Sequence, residues 1–241
     1  MSSIPTVYIG YDPTEKTYCD VLEYSINKYA SSPVNIVRLK QDSLRRTGLY
    51  WRTKIIKDGQ QVDSFDGKPF STEFSFTRFL VPFLNVHQGH ALFMDCDMLM
   101  TADINELWRL RDDRYAVQVC KHDYEPKHNE KFLGQVQTKY EKKNWSSMMI
   151  MNNSLCHNLT ADYVNTATGL ELHQFKWLPN DHAIGKLDLE WNWLVGEYDY
   201  NPDAKNVHWT LGGPYFKEYQ DSDYANEWFN LYADTIRIDL E

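Results

Sequence analysis

An apolar run leads directly into two aspartates in the segment Ala91-Leu-Phe-Met-Asp95-Cys-Asp97-Met-Leu-Met100. Residues 91–94 predict a buried strand, which places the aspartates at its carboxyl end. Alternation along an extended chain points Asp95 and Asp97 to the same side, so both carboxylates can bind one hard cation. Because open α/β sheets bind ligands at the carboxyl ends of their strands, this segment predicts a cation-dependent ligand site.

The two aspartates also permit a plainer interpretation, a strand end followed by a helix cap. Their context weakens it, because an apolar strand precedes them and the apolar residues 98–100 follow. Two buried carboxylates without a cation repel each other and shift each other's pKa, which is unfavourable. We therefore interpret Asp95 and Asp97 as ligands of a cation.

Predicted strands alternate with predicted helices along much of the chain. The predicted strands cover residues 6–10, 34–39, 91–94, 115–120 and 148–151. The predicted helices cover residues 17–30, 72–84 and 224–232. Residues 42–67 are polar and contain three glycines, which predicts a loop with short helical pieces. The pattern indicates one α/β domain over residues 1–241, with a mostly parallel sheet flanked by helices.

The charge balance narrows the class of partner. The chain has 241 residues, with 25 Lys and Arg against 34 Asp and Glu, which gives a net charge of −9. Nucleic-acid binding depends on Lys and Arg against phosphates, so no nucleic-acid partner is expected. An anionic small molecule is compatible with this charge if a cation accompanies it.

A cytoplasmic location without a membrane span is expected. The first apolar run, residues 7–9, is far too short for a signal peptide or a spanning helix. The four cysteines are scattered and form no C-x-x-C pair. This spacing is typical of reduced thiols and not of a disulfide or zinc framework.

Three segments around the aspartates resemble one known family. They are Ser71-Thr-Glu-Phe-Ser-Phe-Thr-Arg78-Phe-Leu-Val-Pro82-Phe-Leu, the run from Ala91 to Asp97, and Asp103-Ile-Asn-Glu-Leu107-Trp108. Together they resemble the central block of the family 8 glycosyltransferases, which have the GT-A fold and include glycogenin and bacterial lipopolysaccharide galactosyltransferases. Residues 145–152 and 207–215 resemble two further motifs of that family more loosely.

This resemblance implies an enzyme that moves a hexose from a nucleotide-diphosphate sugar to a glycan or another hydroxyl acceptor. The donor is expected to be a UDP-sugar, and the configuration at the anomeric carbon is expected to be retained. Two carboxylates and an imidazole suit Mn²⁺, with Mg²⁺ as the second choice. Residues 1–100 would form the nucleotide-binding part of the domain, and residues 101–241 the acceptor-binding part.

The resemblance also implies a role for each candidate site residue. The implied metal ligands are Asp95, Asp97 and His208, and Asp95 is also expected to contact the donor's ribose or sugar. The implied contacts to the base and the diphosphate are Tyr11, Asp12, Gly212, Gly213 and Lys217, since glycine permits close backbone approach. The candidate catalytic residues are Arg78, facing the donor sugar or phosphate, and Asp181, at the position of the family's catalytic amide.

The sequence departs from the family pattern, so other interpretations stay open. Asp181 places a carboxylate where the family has its catalytic amide, which makes a covalent double displacement conceivable. The Lys-Pro-Trp that follows the family's C-terminal histidine is absent, and Asp123 is a weaker candidate for acceptor contact.

Two other classes of protein share some of these features. A nucleotidyltransferase also joins paired aspartates to a β-α-β unit, although the first loop, residues 10–16, lacks the glycine- and cation-rich composition that holds a triphosphate. A non-catalytic carbohydrate-binding protein is suggested by the aromatic residues after Trp177. Such modules are usually β-sandwiches, which does not fit the predicted helices.

Overall fold

The apolar runs of the sequence form the inner strands of a six-stranded sheet. The computed structural model describes residues 4–57, 59–123, 130–131, 135–136 and 140–240. Its strands are β1 (Thr6–Tyr11), β2 (Asn35–Lys40), β3 (Lys54–Lys57), β4 (Gln60–Asp63), β5 (His90–Met94), β6 (Met98–Met100), β7 (Val117–Cys120), β8 (Glu130–Lys131), β9 (Gln135–Val136), β10 (Met148–Asn152), β11 (Ile184–Leu187), β12 (Trp193–Leu194) and β13 (Asn206–His208). Its α-helices are α1 (Lys16–Tyr29), α2 (Gln41–Arg46), α3 (Val81–Leu84), α4 (Ile104–Arg109), α5 (Ala161–Thr166), α6 (Gly169–His173) and α7 (Ala225–Leu240).

The main sheet has the strand order β11-β7-β10-β5-β1-β2. β1 pairs in parallel with β2 and β5, and β11 pairs in parallel with β7. β10 runs antiparallel to both of its neighbours, β5 and β7. The predicted α/β domain with a mostly parallel sheet flanked by helices is confirmed, and the antiparallel β10 is a feature that the sequence patterns did not predict.

A second, three-stranded sheet has the order β12-β13-β6. β13 runs antiparallel to β6, and their register places His208 opposite Met98. The backbone N–H of Trp209 donates to the carbonyl oxygen of Asp97 at 3.0 Å and extends this pairing. A residue distant in sequence is thereby held beside the aspartates that follow β5.

Helix α1 joins the two sheets. Its buried face includes Tyr18, Val21 and Leu22. Leu22 belongs to the main core, whereas Tyr18 and Val21 pack in a second core with Trp228 of α7. Full burial of one such apolar side chain stabilises the fold by about 1.5–3 kcal/mol, so α1 binds both cores firmly.

The predicted helix over residues 72–84 is wrong in its extent. The chain forms a 3-10 turn at Thr77–Leu80 and then the short helix α3. Pro82 lies in the first turn of α3, where its missing N–H costs nothing, and it would break a longer helix at this point. Residues 73–76 are held by tertiary contacts instead, because Phe74 packs so closely on Gly10 that a Cβ there would lie 2.5 Å from its ring.

The predicted loop over residues 42–67 also contains two strands, which the polar sequence did not indicate. Strands β3 and β4 pair antiparallel, and α2 precedes them. The sequence Asp58-Gly59 is a known signal for a tight hairpin turn, and Gly59 has a positive φ of 79°. Hydrophobic patterning misses this hairpin because most of its residues are polar.

The C-terminal helix is longer than the predicted 224–232, since α7 runs to Leu240. Strand β11 was likewise not predicted, because residues 184–187 are few and include a glycine and a lysine. None of the helices in the described part of the chain has the length and apolar character that crossing a bilayer requires.

Candidate functional site

A cavity of about 520 Å³ opens where β1 and β5 end. Asp12 and Glu15, which follow β1, line it together with Asp95 and Asp97, which follow β5. Another part of its wall is formed by His208 at the end of β13 and by Trp209, Thr210, Gly212 and Gly213 after it. The cavity therefore lies at the carboxyl ends of two parallel strands, where ligands of open α/β sheets bind.

Asp95, Asp97 and His208 form a cluster in this cavity. Each offers one ligand atom, and these atoms all lie within 4.8 Å of one another. The two aspartates are brought there by the segment that links β5 to β6, and His208 by the pairing of β13 with β6. The geometry thus brings together the three residues that the sequence resemblance implies as metal ligands.

The hydrogen bonds behind His208 fix which of its nitrogens faces the aspartates. The Ser147 hydroxyl donates to the carbonyl of Asn144 at 2.7 Å, and the Asn192 amide donates to Ser147 Oγ at 2.8 Å. The remaining oxygen of the Asn192 amide lies 3.0 Å from His208 Nδ1 and can only accept, so Nδ1 carries a hydrogen. A neutral His208 then presents the lone pair of Nε2 to the cavity.

This arrangement fits a divalent cation. His208 Nε2 lies 3.2 Å from Asp97 Oδ1, so two electron-pair donors face each other across a short gap. Among the described residues, that buried oxygen has no hydrogen-bond partner. A histidine whose other nitrogen is fixed by a polar neighbour is the usual form of a metal-binding imidazole. Asp95, Asp97 and His208 are therefore suited to hold Mn²⁺ or Mg²⁺.

Arg78 is buried beside this cluster. Its guanidinium lies 2.8 Å from Asp95 Oδ1 and donates to the carbonyls of Ser146 at 2.9 Å and Phe74 at 3.2 Å. Removing one partner of a buried ion pair costs about 3–5 kcal/mol, because the other charge is left uncompensated. Arg78 is thus a fixed part of the cavity wall that orients the Asp95 carboxylate.

Glu15 is a cavity residue that the sequence analysis missed. Burial, reinforced by the negative charge of Asp97, raises the pKa of Glu15 to about 8. The Cys96 thiol donates to Glu15 Oε2 at 3.3 Å, which lowers that pKa by a smaller amount. Its position directly after the first strand was the available signal. A glutamate in a short polar loop is nevertheless too common to stand out.

The two residues predicted to bind the base differ in their placement. Asp12 lines the cavity, but its carboxylate accepts from the backbone N–H groups of Thr14 and Glu73, each at 3.0 Å. It therefore caps the turn after β1. Tyr11 is not among the described residues that line the cavity, and its ring lies 5.1 Å from the Lys40 ammonium.

Gly212 and Gly213 line the cavity, and their contact with a diphosphate stays a prediction. A Cβ on Gly213 would lie 2.7 Å from the Tyr18 hydroxyl oxygen. Gly212 has a positive φ of 127°, and a Cβ there would lie 2.5 Å from the Tyr219 ring. Glycine is required at both positions because neighbouring rings fill the space that a side chain would take.

The lysine and the carboxylate predicted from the C-terminal half lie elsewhere. Neither Lys217 nor Asp181 is among the described residues that line the cavity. The Asp181 side chain is 74% exposed and forms an ion pair of 2.7 Å with Lys142, which lowers its pKa. Lys143, which the sequence analysis did not single out, is buried and lines the cavity instead. Asp123 is exposed and outside the described lining.

Solved structures of glycosyltransferases share this fold. The galactosyltransferase LgtC, in complex with donor and acceptor sugar analogues, matches with a TM-score of 0.57 and 11% identity over 95% of each chain. The apo form of the glycosyltransferase GlyE of Streptococcus pneumoniae TIGR4 matches with a TM-score of 0.59 and 12% identity, over 99% of this chain and 63% of that one.

A third structure, the bifunctional glycosyltransferase WbbM, matches with a TM-score of 0.56 and 16% identity, over 96% of this chain and 50% of that one. The chain therefore spans only half of WbbM and less than two-thirds of GlyE. With its cavity at the strand ends and its Asp-Asp-His cluster, it has the GT-A-like fold of these glycosyltransferases.

A sequence relative defines the family more closely. Protein CDI of Arabidopsis thaliana is 44% identical over 231 residues, which cover 93% of this chain and 84% of that protein. The chain belongs to the same family as protein CDI. No family model matches the chain.

Proposed function

We propose that this protein is a metal-dependent glycosyltransferase that moves a hexose from a nucleotide-diphosphate sugar to a hydroxyl acceptor such as a glycan. The observation that carries the proposal is the cluster of Asp95, Asp97 and His208 in the cavity of a GT-A-like fold. A UDP-sugar as donor, Mn²⁺ as the cation and membership of family 8 follow from the sequence resemblance and stay proposals. The division at about residue 100 and the cytoplasmic location also stay predictions.

In the reaction, the bond between the anomeric carbon and a β-phosphate oxygen breaks, and a bond from that carbon to the acceptor oxygen forms. The acceptor hydroxyl passes its proton to the departing β-phosphate, and the leaving group is the nucleoside diphosphate. A bound divalent cation neutralises the negative charge that grows on the β-phosphate. Asp95, Asp97 and His208 would hold that cation.

The surrounding residues keep this constellation in place. Arg78 fixes Asp95 through its ion pair of 2.8 Å. Asn192 holds His208 in the orientation that offers Nε2. Such preorganised groups stabilise developing charge without reorganising during the reaction. Retention of configuration is proposed from the family resemblance, and the exposed position of Asp181 favours front-side attack over a covalent double displacement.

A thermal-shift panel tests the proposal. UDP, GDP, CMP and dTDP are each added with Mn²⁺ and with EDTA, because a ligand selective for the folded state raises the melting temperature. We expect one diphosphate to stabilise the protein only when Mn²⁺ is present. Asp97→Asn should abolish this shift, whereas Asp66→Asn, which changes a cavity-lining carboxylate that is not part of the cluster, should weaken it far less. No metal-dependent shift with any nucleotide would contradict the proposal.

A further inference from the structure

A chain of contacts leads from the Asp-Asp-His cluster along the cavity wall to a histidine that the sequence analysis did not single out. Arg78 contacts Asp95 and also donates to the carbonyl of Ser146 at 2.9 Å. The Ser146 hydroxyl in turn lies 2.7 Å from His173 Nδ1. Asp95, Arg78, Ser146 and His173 all line the same cavity. His173 is therefore connected to the cluster through two intervening residues.

The position of His173 is well defined. It is the last residue of α6, a helix that begins with a capping box between Thr168 and Glu171. The Phe79 ring packs against its imidazole in a T-shaped arrangement with a centroid distance of 5.2 Å. Ser146 adds the hydrogen bond at Nδ1. A side chain held from two directions is preorganised to contact a ligand.

The chain of contacts marks the wall of the cavity along which we place the donor sugar. With Asp95, Asp97 and His208 holding the cation on the diphosphate, a sugar that follows this wall from the β-phosphate would pass Arg78 and reach Ser146 and His173. The hydroxyl groups of a hexose require hydrogen-bonding partners when they enter a cavity. Ser146 and His173 supply polar groups on the wall next to Arg78, whereas Asp181 lies outside the described lining.

We propose that His173 contacts the transferred sugar and takes the place in the transfer centre that the sequence assigned to Asp181. This inference rests on the proposed function and names the residue that positions the sugar at the same site. Ser146 is a positioning residue, because it acts on the sugar through His173. An imidazole that is hydrogen-bonded at Nδ1 can address a sugar hydroxyl with its other nitrogen.

The experiment compares nucleotide and nucleotide-sugar binding in the same variants. UDP, UDP-glucose, UDP-galactose and UDP-N-acetylglucosamine are titrated with Mn²⁺, and slow donor hydrolysis is followed by UDP release. His173→Ala should bind UDP like the wild type and lose the extra affinity that the sugar adds. Its hydrolysis rate should fall about 100-fold, as when one transition-state hydrogen bond is removed.

Two further variants separate a contact role from a structural one. His173→Gln should recover part of the rate, because an amide also donates and accepts, and its melting temperature should match that of His173→Ala. His182→Ala changes an exposed histidine that is not among the described residues lining the cavity, and it should behave like the wild type. Ser146→Ala should give a smaller loss in the same direction as His173→Ala.

The outcomes distinguish the two proposals. Wild-type UDP binding with Mn²⁺, combined with normal hydrolysis by His173→Ala, would overturn the inference and leave the proposed function standing. Loss of hydrolysis in Asp181→Asn with normal hydrolysis in His173→Ala would return the role to Asp181. The absence of metal-dependent binding of UDP and of every other nucleotide of the thermal-shift panel by the wild type would overturn the proposed function, and the inference with it.

Discussion

The orientation of His208 is fixed by the side-chain amide of Asn192, which is not one of the predicted metal ligands. The oxygen of Asn192 occupies Nδ1, and the nitrogen of Asn192 is held by Ser147. Neither residue has a place among the predicted ligands, yet together they decide that Nε2 faces Asp97. A sequence motif identifies the ligand but not the neighbours that orient it.

Asn192→Ala should weaken Mn²⁺ binding about 10- to 100-fold, the usual cost of removing the group that orients a metal-binding histidine. The change removes the partner of Nδ1, so the imidazole can rotate away from Asp97 and change its tautomer. Titration of Mn²⁺ in the presence of UDP measures the effect. Asn27→Ala, an exposed change on α1, is the control. Equal Mn²⁺ affinity in the wild type and Asn192→Ala would contradict this reading of the hydrogen bonds.

Glu15 gives the metal-free protein a specific pH dependence. Burial raises its pKa to about 8 in the folded state, whereas an unfolded chain ionises glutamate near its ordinary value. Between these two values the folded protein holds a proton that the unfolded chain has released. The contribution of Glu15 to stability is therefore complete at low pH and is lost as the pH rises towards 8.

Glu15→Gln should remove this dependence. In EDTA, the free energy of unfolding of the wild type should fall relative to that of Glu15→Gln between about pH 5 and pH 8, by up to about 1.4 kcal/mol per pH unit. Urea unfolding at several pH values measures the difference. Parallel pH profiles for the two proteins would show that Glu15 is ionised throughout and would contradict the assignment.

At the scale of elements, hydrophobic patterns predict the parts of the fold that are buried on both faces. The runs at residues 6–10, 91–94 and 148–151 became β1, β5 and β10, because each is apolar and short. The antiparallel direction of β10 is not encoded in its own residues, since direction depends on the connections before and after it. Hydrophobic periodicity does not detect the hairpin of β3 and β4, because it is polar, or strand β11, because it is short.

The sequence predicted those residues of the candidate site that lie together at the end of one strand. Asp95 and Asp97 could be assigned from their spacing, and His208 only through the family resemblance. His173 and Glu15 come from elements whose packing no local pattern reveals. Asp181 was assigned because its segment aligned with a motif. Its exposed side chain pairs with Lys142 and is not among the described residues that line the cavity, so its catalytic role stays a prediction.

The glycine pair after β13 allows a test at the scale of elements. Gly213→Ala would place a Cβ 2.7 Å from the Tyr18 hydroxyl oxygen and push the 208–213 segment away from α1. Overpacking of this kind typically costs 1–3 kcal/mol, so we expect a loss of about 2 kcal/mol and weaker UDP binding. Thermal unfolding and UDP titration measure both effects.

Gly169→Ala is the matched control for stability, since its Cβ would meet the Phe76 ring at an ordinary distance of 3.6 Å. We expect its melting temperature to stay close to that of the wild type. A Gly213→Ala protein with unchanged stability and unchanged UDP affinity would show that the segment adjusts freely, against the tight packing described above.

At the scale of the whole molecule, the candidate site lies where the two sheets meet. The main sheet supplies Asp95 and Asp97 after β5, and the three-stranded sheet supplies His208 at the end of β13. Helix α1 contributes to both cores, and its Tyr18 also lines the cavity. The net charge of −9 carries little information by itself, but two of its carboxylates face a histidine nitrogen in one cavity.

Crystals soaked with Mn²⁺ and UDP test the central claim most directly, because the anomalous scattering of manganese locates the ion without any assumption about its ligands. We predict one strong anomalous peak bounded by the carboxylates of Asp95 and Asp97, His208 Nε2 and the diphosphate of UDP. The same soak of Asp97→Asn crystals should lose that peak. A wild-type peak away from these residues, or UDP bound in the cavity without manganese, would contradict the account.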